Sequence, residues 1–349
     1  MSGQFPHKCC RCGFCCMAET CLVSRYVYGI GKNDPCPGFV YDPTLRVATC
    51  QLHANHDVGV GVGCCLSARC FKDGVQYDSA DVWANREVFK LDECGEMSVV
   101  AGVPPDYFSA TGQRWGNPHY DWSYLKKTWF AWWIERMQTQ LEQFDILRID
   151  HFRGLEAAWE IPADEPTAQN GQWVKAPGKA LLKAIKEKLG AIPLVAEDLG
   201  IITDEVEALR DDFALPGMKI LQFAFGSGPD NPYLPDHYEK NCVVYTGTHD
   251  NDTTVGWTHS ISDHERNYAY DYLGHPSISL HCALIQAALG SVANLAVIPM
   301  QDILELGSEA RMNTPGTTVG NWKWRFQWDQ LSHERATRFA HLVSLFNRN

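Results

Sequence analysis

The 349-residue chain reads as an α/β protein of the (β/α)8 TIM-barrel type, incomplete at about six of eight strands, behind a small Cys-rich N-terminal segment. Two observations predict this. From about Tyr77 onward, short apolar runs alternate with amphipathic stretches, the signature of repeated βα units. Three of those runs lead into a carboxylate set among polar or glycine residues: Arg148-Ile149-Asp150-His151-Phe152-Arg153-Gly154, Val195-Ala196-Glu197-Asp198-Leu199-Gly200 and Tyr245-Thr246-Gly247-Thr248-His249-Asp250-Asn251-Asp252. The carboxyl end of a buried parallel strand looks this way where it opens onto a site, and a barrel gathers all such ends at one mouth.

Taken in order, the strand candidates are Val75–Tyr77 (the weakest, leading into Asp78), Ile146–Ile149, Leu194–Ala196, Met218–Phe225, Val243–Thr246 and Leu295–Ile298. Helices fall between them. Leu125, Trp129, Trp132, Trp133, Met137, Leu141 and Phe144 repeat at threes and fours, so the spacing predicts one helix over 122–144. Leu181, Leu182, Ile185 and Leu189 predict another, with Gly190 as its stop. Thr203 before Asp204 and Glu205 reads as an N-cap with acids in the first turn, and Ser262 with Glu265 has capping-box spacing. A closed barrel needs eight strands, and the remaining pair would have to come from residues 1–74, which do not read as βα units.

Composition narrows the function. A formal charge of −12 argues against nucleic acid, because phosphate binding needs a basic face. No apolar run is long enough to cross a membrane and no signal peptide is evident, so a cytoplasmic protein is the expectation. Twelve tryptophans and thirteen tyrosines suit a carbohydrate binder, although most such rings in any protein serve its core. Strand-end acids in one chain suggest carboxylate chemistry on a sugar, one acid attacking while another moves the proton.

A boundary falls near residue 75. Eleven of the fourteen cysteines lie at or before Cys70, and residues 1–77 carry seven Lys/Arg against five Asp/Glu, whereas the rest is strongly acidic. Residues 1–74 are therefore expected to be a Cys-rich metal-binding segment, and 75–349 a partial (β/α)8 catalytic domain. The overlapping CxxC pairs Cys9/Cys12 and Cys12/Cys15, with Cys16, Cys36 and Cys50, offer soft thiolates suited to zinc or iron. The same segment resembles small bacterial proteins described as zinc- or iron-chelating cysteine clusters.

From about Asp78 the chain resembles the amylomaltases, 4-α-glucanotransferases of the α-amylase clan. The runs that carry the resemblance are Asp78-Ser79-Ala80-Asp81-Val82-Trp83-Ala84-Asn85, Val103-Pro104-Pro105-Asp106-Tyr107-Phe108-Ser109-Ala110-Thr111-Gly112-Gln113, Trp115-Gly116-Asn117-Pro118, the three acid motifs, Gly171-Gln172-Trp173-Val174-Lys175, and Gly307-Ser308-Glu309-Ala310-Arg311-Met312-Asn313-Thr314-Pro315-Gly316. The resemblance implies Asp150 as nucleophile, Glu197 as general acid/base and Asp250 as the acid that stabilises the transition state. It implies substrate contacts from Arg148, His151, His249, Asp78, Asp106, Tyr107, Phe108 and Trp115. Arg148, two residues before Asp150 on the same strand face, is expected to favour the ionised nucleophile; Glu197 is expected to be held protonated by burial and nearby acids. The implied reaction is a retaining double displacement on maltooligosaccharides and α-1,4-glucans, with no cofactor for catalysis. Two rivals remain: an α-glucan hydrolase, and a metal-binding protein whose barrel remnant is inactive.

Overall fold

The computed structural model describes residues 39–42, 47–50, 70–72, 75–77, 88–90, 97–106, 109–190, 192–317 and 319–348, the first four stretches by their backbone alone. Asp78, Tyr107, Phe108, Cys9, Cys12, Cys15, Cys16 and Cys36 lie outside the described residues, and Cys50 is described only as a backbone position. Two antiparallel hairpins come first, β1 (Phe39–Asp42) with β2 (Val47–Cys50), and β3 (Cys70–Lys72) with β4 (Val75–Tyr77). Val75–Tyr77 is thus a hairpin strand and not a strand of the parallel set. In this antiparallel register Lys72 stands opposite Val75.

The remaining chain divides into two compact units. One, within Met1–Thr139 and Gly154–Gly190, contains an antiparallel sheet in the order β6-β5-β8-β9, formed by β5 (Val99–Val103), β6 (Gln113–Arg114), β8 (Ala157–Pro162) and β9 (Gln172–Lys175). Sequence reading did not foresee this sheet, although β9 coincides with the Gly171–Lys175 run. Val100, Ile161 and Ala168 form its core. Gly102 is required where β5 meets β6, because a Cβ there would lie 2.2 Å from the Gln113 carbonyl oxygen. The buried carboxylate of Glu160 is paired with Lys90 at 2.7 Å.

The helix expected over 122–144 is two. α1 (Trp122–Lys127) is capped by Asp121, whose carboxylate accepts from the Ser123 and Tyr124 amides, and α2 runs from Ala131 to Leu141. Trp129 and Phe130 between them take left-handed backbone angles, φ +54° and +56°. The break moves Phe130, not Trp129, into the core with Leu125, Trp133 and Met137; Trp129 is 82% exposed. α3 (Gly178–Leu189) matches expectation, burying Leu181, Leu182 and Ile185 and ending at Gly190 with φ +83°.

The second unit, Gln140–Arg153 with Ala191–Asn349, holds five parallel strands among the described residues: β7 (Leu147–Ile149), β10 (Leu194–Ala196), β11 (Gly217–Ile220), β12 (Cys242–Tyr245) and β13 (Leu295–Val297). β10 pairs with β7, and β12 lies between β11 and β13, all in parallel register. The Ala196 amide donates to Pro216 O at 2.9 Å, linking the pair to the triplet. The expected strand Met218–Phe225 ends at Ile220 and continues as a 3-10 turn, Leu221–Phe223. Its apolar content does not change at that point, since Leu221 and Phe225 are as buried as Ile220. Helices α4 (Asp204–Asp212), α5 (Thr254–Ser260), α6 (Asp263–Tyr272), α7 (Leu280–Gly290), α8 (Met300–Ile303) and α9 (His333–Leu345) belong to this unit. Leu221, Phe225, Val244, Trp257 and Leu284 share one core. No described helix is long and apolar enough to cross a membrane.

Candidate active site

Parallel pairing sets the first acids level with each other. Ala196 stands opposite Ile149, so the next residues, Glu197 and Asp150, leave the ends of adjacent strands together. The link is stitched on both sides: the Glu197 amide donates to Ile149 O and the Phe152 amide to Glu197 O, each at 3.0 Å. Arg148 meets Asp150 Oδ1 through Nη2 at 2.7 Å. His151 takes φ +49°, which turns its backbone N–H onto Glu197 Oε2 at 2.5 Å; the Leu199 N–H reaches Oε1 at 3.3 Å.

Glu197 is where the electrostatics are most displaced. Burial, and then the charge of Asp150, raise its carboxyl from 4.5 to about 7, against the opposing pull of the His151 N–H, Arg148 and the Leu199 N–H. The site therefore sets a half-buried acid that holds its proton near neutrality beside an exposed carboxylate paired with arginine.

Asp250 is built differently, on the long loop after β12. Asn313 Nδ2 donates to its Oδ1 at 2.6 Å, Arg311 Nη2 donates to its backbone oxygen at 2.6 Å, and His249 Nε2 lies 3.3 Å from Oδ2. The Asn313 amide also donates to His249 O. The imidazole of His249 lies 5.2 Å from the Trp322 ring, and Trp322 is 55% exposed. A cavity of about 270 Å³ opens here, lined by Arg148, Tyr245, Thr248, His249, Arg311 and Trp322 among others.

Both ends of this loop are fixed by Asp302 of α8, which is almost wholly buried. Its Oδ2 accepts from the Thr246 and Thr254 hydroxyls at 2.6 Å, and its Oδ1 from the Thr254 amide at 2.7 Å. Thr253 then caps α5 by accepting from the Gly256 amide. Asp198 does the corresponding work behind Glu197, binding Arg210 Nη1 and the Met218 amide, each at 2.7 Å. That carboxylate fits only because residue 217 is glycine, where a Cβ would lie 2.2 Å from Asp198 Oδ2.

Arg148, Asp150, His151, Glu197, His249 and Asp250 all belong to the second unit. Asp106 and Trp115 belong to the first. There Asp106 Oδ1 accepts from the Ser109 amide at 2.9 Å, and Trp115 is 44% exposed with its indole N–H donating to Gln113. Sequence reading did not single out Asp302, Arg311, Asn313 or Trp322 individually. Arg311 and Asn313 do fall within the Gly307–Gly316 run, which was the available signal.

Strand-end carboxylates on parallel strands, one protonated up to about pH 7 and one paired with arginine, place the chain among α/β proteins with a two-carboxylate site at the strand ends, the arrangement that glycosidic-bond chemistry with two acids requires. Comparison with known proteins makes the assignment specific. The family model described as 4-alpha-glucanotransferase (Glyco_hydro_77) matches residues 73–331, and the chain belongs to that family. It is 56% identical to a 4-alpha-glucanotransferase of Synechocystis sp. over 278 residues, covering 78% of this chain and 55% of the relative. It is 54% identical to that of Thermus thermophilus over 282 residues, covering 78% and 56%. Among solved structures, the amylomaltase from Streptococcus agalactiae in complex with acarbose aligns with a TM-score of 0.74 at 39% identity, covering 77% of this chain and 55% of that one. These likenesses make the fold the TIM-barrel type. The chain spans about half the length of the curated relatives it matches.

Proposed function

We propose that this protein is a retaining 4-α-glucanotransferase that moves α-1,4-glucan segments onto the 4-hydroxyl of a glucose or glucan acceptor. The observation that carries the reading is the displaced Glu197 carboxyl beside the arginine-paired Asp150. Asp150 attacks the anomeric carbon while Glu197 gives its proton to the departing glycosidic oxygen, leaving the donor segment bound covalently to Asp150. Glu197, now ionised, takes the proton of the acceptor's 4-hydroxyl as that oxygen displaces Asp150, and the starting state is restored. Asp250, held by Asn313 and flanked by His249, binds hydroxyls of the sugar whose ring flattens in the transition state. Arg148 and His151 belong to the same contact set, and the family resemblance alone adds Asp78, Asp106, Tyr107, Phe108 and Trp115 as further substrate contacts. The chemistry needs no cofactor and is assigned to the cytoplasm; residues 1–74 are read as a separate zinc- or iron-holding segment.

Maltotriose disproportionation by the purified chain tests the proposal, with Asp150→Asn as control. Glucose together with maltopentaose, both absent with the variant, is the expected result. Only shorter sugars would make the protein a hydrolase, and no products from a folded sample would overturn the assignment.

A further inference from the structure

Outside the carboxylate site, the second unit brings together a thiol, an imidazole and a carboxylate. His281 and Cys282 lie in the first turn of α7, and Glu305 follows α8. Cys282 Sγ is 3.3 Å from His281 Nε2, that nitrogen is 3.8 Å from Glu305 Oε1, and the three donor atoms all lie within 4.8 Å of one another. Zinc bound at about 2.0–2.3 Å by N, O and S places neighbouring ligand atoms roughly 3.3–3.7 Å apart, so these donors need only small side-chain movements to converge. We propose that Cys282, His281 and Glu305 form a binding site for a soft divalent cation of the zinc type, with water in the fourth position.

Two further observations favour a cation here. The donor set joins a thiol, an imidazole and an oxygen anion, the combination that zinc accepts and that magnesium or calcium does not. The His281 side chain is only 12% exposed and that of Glu305 29%, so the donors are shielded from bulk water without being sealed from it. The groups facing the cluster are Arg338, paired with Glu305, Arg335 at 3.8 Å from Glu305 Oε2, and the carboxylate of Asp302. Arg338 is half exposed, and such ion pairs exchange readily, so the cation replaces Arg338 at Glu305 without burying an orphaned charge. Ligation would tie α7 to the end of α8, three residues after Asp302, the anchor of the loop that bears Asp250. This proposal does not depend on the glucan reading.

The test is zinc titration of the metal-free full chain against a chromogenic chelator, with Cys282→Ser, His281→Asn and Glu305→Gln measured beside it. The N-terminal cysteines are common to all four proteins, so their zinc subtracts out. Wild type should bind one equivalent more than Cys282→Ser or His281→Asn, and Glu305→Gln should hold that equivalent at least tenfold more weakly. With cobalt(II), the difference between wild type and Cys282→Ser should show thiolate-to-metal charge transfer in the near ultraviolet. Equal stoichiometry among folded variants would overturn the proposal. So would loss of the equivalent in Cys282→Ser alone, which would mark a simple thiol adduct. Thermal melts without metal establish which variants are folded, and any two of the three decide the matter.

Discussion

Consider the substitution Glu197→Gln followed across pH. In the folded chain the Glu197 carboxyl titrates near 7 instead of 4.5, so between those values the native state keeps a proton that the unfolded chain has released. The stability associated with that proton is fully present below about pH 4.5 and is lost as the pH rises through about 7. At about 1.4 kcal/mol per pH unit, and with part of the carboxyl reaching solvent, the loss is roughly 2–3 kcal/mol. Glutamine keeps the shape and an oxygen for the His151 N–H but has nothing to ionise. Urea unfolding of both proteins at a series of pH values from 4.5 to 8.5 gives the comparison, read as the difference in unfolding free energy. That difference should move by roughly 2–3 kcal/mol in favour of the glutamine variant as pH rises, with most of the change complete by pH 7.5. Repeating the pair in an Asp150→Asn background should narrow the window from its upper end, because the second-ranked cause of the shift is gone. A difference that stays constant across pH would refute the assignment of an uncharged Glu197 to the native state.

The same ionisation should appear in turnover: kcat/KM for maltotriose is expected to fall on the alkaline side with an apparent pKa near 7, measured by initial rates of glucose release. Asp198→Ala removes a buried partner of Arg210 and the acceptor of the Met218 amide, and should cost about 3 kcal/mol in chemical denaturation. Asp302→Ala strands three donors at the ends of the Asp250 loop; a loss of about 3 kcal/mol is expected, with kcat falling more than tenfold, and Asp302→Asn should recover part of both. Trp129→Gly should raise stability by about 1 kcal/mol, since an exposed side chain gives way to the residue that favours a positive φ; a lower melting temperature would contradict the account of the break between α1 and α2.

The strand ends were legible because a parallel strand buried on both faces leaves a short apolar run, and Leu194–Ala196 was located to the residue. Runs are less informative where burial continues past the strand. Met218–Phe225 is apolar on both sides of the turn apart from Lys219 and Gln222, yet the chain turns at Leu221, and hydrophobicity does not register the change. The α1–α2 break was hidden for a related reason. Leu125, Trp129 and Trp133 have perfect helical spacing, but the two left-handed residues rotate the second helix so that Phe130 fills the core instead. The antiparallel sheet around β5 and β8 rests on pairings such as Val100 with Ile161, too far apart in sequence for any periodicity to reveal. The six candidate residues that share the second unit could be named from short motifs, but their supports could not. Asn313 reaches Asp250 and Asp302 reaches Thr246 across some sixty residues, and a lone Asn or Asp carries no mark of its partner.

The 2.5 Å bond from the His151 N–H has a consequence for where a proton can reside. An oxygen that accepts so short a bond cannot also carry the acidic hydrogen in the same direction, so neutral Glu197 is desymmetrised: Oε2 remains the acceptor and Oε1, with only the longer contact from Leu199, becomes the hydroxyl. The carboxyl thus has a fixed donating atom before any sugar arrives. The His151 backbone that fixes it is the residue next to Asp150, so a shift of the Asp150 strand end would also reorient the proton that the proposed double displacement delivers to the leaving sugar.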